Sequence, residues 1–190
     1  WSSVVSLDGG TVGWDVGGAH LKAAVFDRSG KLLWVKQRAM PLWQGLSHLD
    51  EAVFGMGLSA LSGAQHMVTM TGELVDLFDD REQGVVTLAT RLGRLLQGST
   101  LRFYAGSRGF VPLSQVTGHV NAIASANWHA TAAWLARCHA KGLLIDMGST
   151  TTDILPFADG VVANRGYSDQ QRQASDELVY TGLVRTPVMA

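Results

Sequence analysis

The sequence predicts an α/β fold in which one strand-turn-strand unit occurs twice. The first copy is VGWDVGGAHLKAA at 12–24 and the second is LLIDMGSTTTDIL at 143–155. In each copy an apolar strand ends in an aspartate, and an apolar residue, a glycine and a small residue form the turn before a returning strand. One Asp-x-Gly turn is an ordinary hairpin, whereas two copies in register indicate a duplication.

Strands and helices alternate between and after the two copies. Strands are predicted where short apolar runs are bounded by turn residues, and helices where apolar residues recur three or four positions apart. The predicted strands are 11–15, 21–27, 31–36, 65–71, 101–104, 109–113, 142–146, 151–157 and 160–163, and the predicted helices are 45–61, 84–97 and an Ala-rich 114–138. This alternation is typical of helices packed on a sheet.

The duplication also suggests a domain organisation. We expect 1–10 to be an N-terminal extension, 11–138 to form a first lobe with a bridging helix, and 139–190 to begin a second lobe. The second lobe is expected to be incomplete, because the chain opens on Trp1 rather than Met and stops at Ala190, just after a structured stretch.

The composition narrows the class of partner. With 190 residues, 46% of them hydrophobic, the chain can bury a sizeable core. A net charge of -1 excludes a general attraction to nucleic acid or to an anionic membrane, so we expect small-molecule partners. The single cysteine, Cys138, cannot form an intrachain disulfide, and the sequence contains neither a membrane-spanning run nor a signal peptide; a cytoplasmic location fits best.

Both turns have the composition of a phosphate-binding site. Glycine lets backbone N–H groups approach an oxygen-rich anion, and Ser or Thr hydroxyls add donors. The predicted phosphate-binding residues are Gly17, Gly18, Lys22, Gly148, Ser149, Thr150 and Thr151. Lys22 would supply a point charge, although a solvated strand lysine is an equal alternative.

Three aspartates are candidate metal ligands. Asp15 and Asp146 end the two apolar strands, and Asp153 lies on the second returning strand. Carboxylates beside phosphate would repel it, but they can hold Mg²⁺ through its waters and so bring the metal to the anion. We therefore expect Mg²⁺ as a cofactor.

The paired hairpins resemble the superfamily of acetate and sugar kinases, Hsp70 and actin. The resemblance implies a duplicated actin-like (ribonuclease H-like) ATPase fold, in which each of two lobes offers a phosphate hairpin to a ligand in the cleft between them. A third, glycine-rich motif binds adenosine in that superfamily, and no convincing copy precedes Ala190. ATP binding therefore remains unproven by the sequence.

Four segments resemble a narrower family, the hydantoinase/oxoprolinase-related proteins of tetrahydromethanopterin-linked one-carbon transfer, which are similar to the methanofuran-biosynthesis synthase. These segments are 12–22, 69–76 (TMTGELVD), 124–128 (ASANW) and 176–182 (DELVYTG). The resemblance implies a transferase with a furan diphosphate and a phenolic amine, gamma-glutamyltyramine, as substrates. The phenol oxygen would displace pyrophosphate from the furan methylene.

Such a reaction benefits from a general base, because a phenol has a pKa near 10. Glu73 and Asp76 follow a predicted central strand, and His20 lies beside the first hairpin, so these three are the candidates. Alternatively, Glu73 and Asp76 cap a helical turn, and His20 is packed or simply exposed.

Other interpretations remain open. The hairpins could hold ATP in a small-molecule kinase or a hydantoinase/oxoprolinase-like ATPase, or nucleotide in a nonenzymatic regulator. Asp169, Arg172 and Asp176 recur three or four apart and predict a surface ion-pair strip on a helix. The sequence contains no signal for an oligomeric state.

Overall fold

A computed structural model describes residues 9–57, 63–148 and 150–184 of the chain. The chain divides into two compact units, one that extends through Asn127 and one that starts at Trp128. Each unit is described by itself below. The predicted lobe boundary at 138 and 139 stays a prediction.

The first unit is built on a mixed sheet that begins with an antiparallel meander. Its strands are β1 (Thr11–Val16), β2 (His20–Phe26), β3 (Leu32–Ala39), β4 (Gln65–Met70), β5 (Thr100–Tyr104) and β6 (Phe110–Pro112). Their order in the sheet is β3-β2-β1-β4-β5-β6, with β4 parallel to both β1 and β5. The predicted α/β fold is confirmed.

Helices and short 3₁₀ turns connect the strands of the first unit. They are α1 (Ser47–Gly55), α2 (Arg81–Leu95) and α3 (Val120–Ile123), with 3₁₀ turns at Leu42–Gln44, Gly72–Leu74, Gly106–Arg108 and Leu113–His119. Helix α2 starts three residues earlier than predicted, because the Asp80 side chain accepts a hydrogen bond of 2.7 Å from the backbone N–H of Gln83. Helix α1 ends at Gly55, and 58–61 of the predicted helix lie outside the described residues.

The prediction of one long helix at 114–138 is wrong. The 3₁₀ turn and α3 are followed by a break, and α4 starts only at Asn127 (Asn127–Cys138). At the break Ala124 is extended and forms a parallel bridge with Met70, while Ser125 has a φ of 50°. A left-handed residue cannot continue a helix, so the strand-like contact with the end of β4 interrupts the Ala-rich pattern.

The second unit contains a smaller sheet and the remaining elements. These are β7 (Lys141–Met147), β8 (Thr152–Ala158), β9 (Val161–Val162), α5 (Asp169–Ala174) and β10 (Leu178–Val179). The sheet order is β10-β8-β7, and β9 pairs with β8. The three predicted strands of this region are present, whereas β10 was missed because only two residues of it pair.

The two hairpins have the same register, which confirms that the sequence unit is duplicated. In both, the aspartate lies opposite the residue seven positions later, and the glycine N–H donates to the carbonyl oxygen three positions later. The opposed pairs are Asp15 with Lys22 and Asp146 with Asp153, and the turn hydrogen bonds run from Gly17 to His20 (3.0 Å) and from Gly148 to Thr151 (2.8 Å).

The core of the first unit includes a buried polar pair. Trp14 Nε1 donates a 2.9 Å hydrogen bond to Nδ1 of His66, and both side chains lie among the apolar residues of β1, β4, α1 and α2. Burial lowers the pKa of His66 to about 4, so the imidazole is neutral in the folded protein at pH 7. Within the described residues, no helix is long and apolar enough to cross a membrane.

We expect the first unit to lose stability as the pH falls from 6.5 towards 4. The unfolded chain protonates His66 near pH 6.5, whereas the folded chain resists protonation until about pH 4. The free energy of unfolding should therefore fall by up to about 1.4 kcal/mol for each pH unit in this window. Urea unfolding across that pH range measures the slope.

The matched control for this slope is His66→Asn, which keeps an acceptor near the Trp14 indole but does not titrate. This variant should be less stable at pH 7 and show a shallower slope between pH 6.5 and 4. Equal slopes in the two proteins would show that His66 is not the titrating group.

Candidate functional site

The first hairpin lies against the loop that follows β4, and glycines make this approach possible. A Cβ atom added to Gly72 would lie 2.8 Å from the carbonyl oxygen of Gly17, and one added to Gly18 would lie 2.7 Å from Cγ1 of Val75. Both distances are too short for a real Cβ contact. The backbone N–H of Thr71 also donates to the β1 carbonyl just before the turn, at 2.9 Å. The hairpin and the loop therefore form one site.

Gly17 and Gly148 each direct a backbone N–H into their own hairpin. The N–H of Gly17 is used inside the hairpin, because it donates to the carbonyl of His20, and Gly148 repeats this in the second hairpin. Each glycine therefore shapes its turn. An anion would have to be held by N–H groups further along the turn, such as that of Gly18, and the phosphate roles stay predictions.

Asp15 and Lys22 contact each other at the end of β1. Lys22 Nζ lies 2.9 Å from Oδ2 of Asp15, so the predicted phosphate ligand is paired with a predicted metal ligand. Oδ1 of Asp15 is buried and has no hydrogen-bond partner among the described residues. A buried oxygen without a partner marks a position that a ligand could satisfy.

This arrangement fits Mg²⁺, though it does not by itself form a complete metal centre. No group of three or more His, Cys, Asp or Glu within 9–57, 63–148 and 150–184 is placed to hold a metal. Mg²⁺ keeps several waters and is often bound by only one or two carboxylates together with substrate phosphates. Oδ1 of Asp15 could supply one such ligand.

Glu73 is the buried carboxylate of the site. It lies on the 3₁₀ turn Gly72–Leu74 and is 1% exposed. Its Oε1 accepts a 2.6 Å hydrogen bond from Oγ of Ser125, and its Oε2 is buried without a partner among the described residues. Asp80, and not Glu73 or Asp76, supplies the side-chain cap of α2. Glu73 is thus a buried carboxylate with one partnered and one unpartnered oxygen, an environment that is common at functional sites.

Burial raises the pKa of Glu73 above its ordinary value of 4.5, because the charged form loses solvation. The hydrogen bond from Ser125 opposes this rise, as do backbone N–H groups and the positive charge of Arg81. A carboxyl group with a raised pKa is a stronger base than an exposed glutamate. Glu73 is therefore equipped to accept a proton.

Ser125 is a site residue that was not predicted from the sequence. Its φ of 50° is rare for a residue other than glycine, and the bridge from Ala124 to Met70 holds its segment beside the end of β4. Strained backbone of this kind is concentrated at functional sites. The available signal was the run 124–128, which resembled the family but was interpreted as the interior of a helix.

The other two candidate bases are exposed. Asp76 lies in the turn that follows the 3₁₀ turn, and His20 is the first residue of β2, next to the hairpin. The structure thus brings Glu73, but not the side chain of either alternative, into a buried environment. The catalytic roles of all three residues stay predictions.

The second hairpin is more open. Asp146 and Gly148 are exposed, Thr150 and Thr151 are partly buried, and Ser149 lies outside the described residues. The Leu183 N–H donates a 3.0 Å hydrogen bond to the Gly148 carbonyl, so the 178–184 segment returns to this turn. The phosphate and metal roles predicted here stay predictions.

The predicted surface ion-pair strip on α5 is wrong, because Arg172 is 2% exposed. Its guanidinium group forms a hydrogen-bonded ion pair with Asp153 of β8 and lies 3.9 Å from the ring centroid of Trp128. It also donates to the backbone carbonyl of Glu177 at 3.2 Å. Spacing along one helix could not reveal that α5 turns this face towards the sheet.

Asp153 therefore has Arg172 as a structural partner. Its role as a metal ligand stays a prediction. Burial raises its pKa, and the charge and hydrogen bonds of Arg172 act in the opposite direction. Glu177 is a buried carboxylate in this unit, and it accepts hydrogen bonds from the backbone N–H groups of Arg165 (2.6 Å) and Gly166 (3.0 Å). Asp153 ties α5 to β8, and the Glu177 carboxylate ties the loop before α5 to the segment that follows α5.

Comparison with known proteins gives the family. Residues 65–187 match the model of the hydantoinase/oxoprolinase family, which is more than half of the chain. The chain belongs to the hydantoinase/oxoprolinase family. The match begins with β4 and includes Glu73, Ser125 and Arg172.

Two curated relatives in this comparison share one function in their names. The chain is 28% identical, over 179 residues, to the (4-{4-[2-(gamma-L-glutamylamino)ethyl]phenoxymethyl}furan-2-yl)methanamine synthase of Methanocaldococcus jannaschii. The match covers 93% of this chain and 52% of the relative, so the chain spans about half of that protein. The enzyme of the same name from Methanococcus vannielii is 50% identical over 46 residues, which cover 24% of this chain and 20% of the relative.

Solved structures with a similar chain path include a Ppx/GppA family member from Aquifex aeolicus, with a TM-score of 0.46 and 11% identity. That match covers 82% of this chain and 49% of the other. A ROK family glucokinase from Streptomyces griseus, solved with glucose and AMPPNP, has a TM-score of 0.44 and 16% identity, over 83% of this chain and 47% of the other.

Replacing Ser125 with alanine should raise the pKa of Glu73 further. The hydroxyl stabilises the charged carboxylate and so lowers the pKa of Glu73, whereas burial raises it. Without the hydroxyl, the effect of burial is less opposed and the pKa rises. NMR titration of ¹³C-labelled glutamate carboxyl groups measures the shift. Ser114→Ala, at an exposed serine of the same unit, is the control and should leave the titration of Glu73 unchanged. An unchanged Glu73 titration in Ser125→Ala would contradict the proposed contact.

Replacing Arg172 with alanine should destabilise the second unit by roughly 3 kcal/mol or more, because Asp153 loses its partner in a partly buried position. The double variant Arg172→Met, Asp153→Leu should lose less, since no charge is left unpaired. Urea unfolding followed by tryptophan fluorescence gives the free energies. Arg137→Ala, at an exposed arginine of α4, should change the free energies of unfolding little. A similar loss in both arginine variants would show that the unpaired Asp153 is not the cause.

Proposed function

We propose that this protein is a biosynthetic transferase that joins a phenol to a furan methylene group and releases pyrophosphate. Membership of the hydantoinase/oxoprolinase family and the names of the two curated relatives support this proposal. The phenoxymethylfuran in those names contains an aryl ether. An ether of that kind forms when a phenol oxygen attacks a methylene carbon that carries a leaving group.

The proposed substrates are gamma-glutamyltyramine and an aminomethylfuran diphosphate. The phenol oxygen forms a C–O bond with the furan methylene carbon, while the bond from that carbon to the diphosphate oxygen breaks. The phenol proton passes to a base on the protein, and pyrophosphate leaves with the electron pair of the broken bond. The reaction needs no oxidant, and ATP does not enter its balance.

The environment of Glu73 is the observation that supports this proposal most directly. Its Oε2 is buried without a partner, its pKa is raised, and its backbone turn touches the first hairpin through Gly72 and Gly17. A phenol loses its proton unaided only near pH 10, so a positioned base should contribute about 10² to 10⁴ in rate. We assign Glu73 this role, and Ser125 positions its carboxylate.

The first hairpin is the proposed site for the diphosphate. Its turn N–H groups and Lys22 would neutralise the oxygens of the leaving group, and Oδ1 of Asp15 would hold Mg²⁺. The metal would supply charge stabilisation for the departing pyrophosphate. Lys22 would then weaken its ion pair with Asp15 and contact the anion instead. Both side chains are solvent accessible, so this rearrangement is open to them.

The test uses the purified protein with Mg²⁺ and both substrates, and measures pyrophosphate release together with the ether product by mass spectrometry. Glu73→Gln should lower kcat by about 10²-fold or more. In the wild type kcat should fall as the pH drops through the raised pKa of Glu73, because the base must be deprotonated. The Glu73→Gln variant should not show this fall of kcat at low pH.

Glu51→Gln is the matched control, because Glu51 is an exposed glutamate on α1 whose recorded contact is with His48. Its activity should equal that of the wild type. A parallel assay supplies ATP without the furan diphosphate. ATP hydrolysis or phosphorylation of a small molecule, with no pyrophosphate released from the furan substrate, would replace this proposal with a kinase or ATPase.

A further inference from the structure

Helix α2 lies directly against the backbone of Glu73. The fourth residue of this helix is Gly84, and a Cβ atom added there would lie 2.5 Å from the carbonyl oxygen of Glu73 and 2.9 Å from its Cα and Cβ atoms. Real Cβ atoms essentially never come this close to another atom. The lack of a side chain at position 84 therefore sets how closely α2 can approach the proposed base.

The backbone conformation of Gly84 does not require glycine. Gly84 lies within α2, and it is not among the glycines whose φ is positive. Alanine could adopt this conformation and would favour the helix, because glycine is a poor helix former. The contact with Glu73 is the feature of the structure that calls for glycine at this position.

The turn that carries Glu73 makes a second contact of the same kind. A Cβ atom added to Gly72 would lie 2.8 Å from the carbonyl oxygen of Gly17, so Gly72 joins the turn to the first hairpin while Gly84 joins it to α2. The nearest atom is a backbone oxygen in both cases, and such an atom cannot swing aside like the end of a flexible side chain. The backbone of Glu73 is thus fixed by glycine contacts with two other elements.

The side chain of Glu73 extends from this backbone to Ser125. Oε1 accepts the 2.6 Å hydrogen bond from Oγ of Ser125, and Oε2 is buried without a partner among the described residues. Ser125 therefore fixes the carboxylate end of the side chain, and the packing of Gly84 fixes the end at the main chain. Both contacts are needed to define the position of Oε2.

We propose that Gly84 is a positioning residue for Glu73, because it leaves the room against α2 in which the Glu73 backbone places the carboxylate to accept the proton of the substrate phenol. This inference rests on the role of base proposed above for Glu73. A methyl group at position 84 would push the turn away from α2. A displacement of about 1 Å in a reacting group can lower a rate by about 10²-fold.

Two glycine-to-alanine variants in the same helix test this proposal. Gly93→Ala is the matched control, because a Cβ atom at 93 would come within 2.6 Å only of Cδ2 of Leu113, the far end of a flexible side chain. Gly84→Ala should lower kcat for pyrophosphate release by about 10²-fold. KM for the furan diphosphate should stay within about threefold, because the groups proposed to hold it lie on the hairpin. Gly93→Ala should keep the wild-type kcat and KM.

The Glu73→Gln background separates positioning from general damage to the fold. Adding Gly84→Ala to Glu73→Gln should lower the remaining kcat by less than about twofold, because the base that Gly84 positions is already absent. An equal fold-loss in the wild-type and Glu73→Gln backgrounds would show that Gly84 acts on the fold as a whole, and the proposal would be overturned.

NMR supplies two readouts that need no activity. In the wild type, nuclear Overhauser effects should connect the Hα atoms of Gly84 with Hα and Hβ of Glu73, and this measurement stands even if Gly84→Ala does not fold. Titration of ¹³C-labelled glutamate carboxyl groups should show a lower pKa for Glu73 in Gly84→Ala, because burial is the largest cause of its raised pKa and the displaced turn admits water. Gly93→Ala should titrate like the wild type.

These readouts distinguish a failure of this inference from a failure of the proposed function. If the wild type releases no pyrophosphate, while Gly84→Ala and not Gly93→Ala lowers the pKa of Glu73, the transferase proposal fails and the positioning of the carboxylate by Gly84 stands. The positioning proposal is overturned if the nuclear Overhauser effects are absent or if the pKa of Glu73 is not lowered in Gly84→Ala. Equal kcat values for the two alanine variants of an active enzyme would also overturn it.

Discussion

The close approach of two backbone turns is the constraint on which the first unit depends. The carbonyl of Gly17 lies where a side chain at position 72 would have to be, so the hairpin and the loop after β4 can lie this close only because residue 72 is glycine. This contact places the turn that carries Glu73 beside the turn that carries Asp15. Burial gives the two carboxylates different environments, because Glu73 is enclosed while Asp15 keeps a lysine and partial access to solvent.

Much of this arrangement could be predicted from local sequence. The strands of both hairpins follow from alternating apolar residues and from Asp-x-Gly turns, whose chemistry needs no distant partner. The position of Glu73 after a central strand identified it as a candidate base. Its hydrogen bond could not be predicted in the same way, since the donor is Ser125, which is 52 positions away in the chain.

The incorrect predictions share a physical cause. Alanine favours a helix through 114–138, but a bridge to β4 and a left-handed serine override that preference. Arg172 has the spacing of an exposed helix residue, yet a tryptophan and an aspartate from other elements give its charge a buried site. In both cases a tertiary contact outweighed a preference of less than about 1 kcal/mol per residue.

The left-handed backbone of Ser125 also has an evolutionary consequence. Glycine would adopt this conformation without strain and would therefore be the more stable choice at this position. It has no hydroxyl group, however, so the gain in stability would leave the Glu73 carboxylate without its hydrogen-bond donor. A mutation that relaxes the fold here would remove the hydrogen bond to Glu73. Under the proposed function, this is a trade-off between stability and activity confined to one residue.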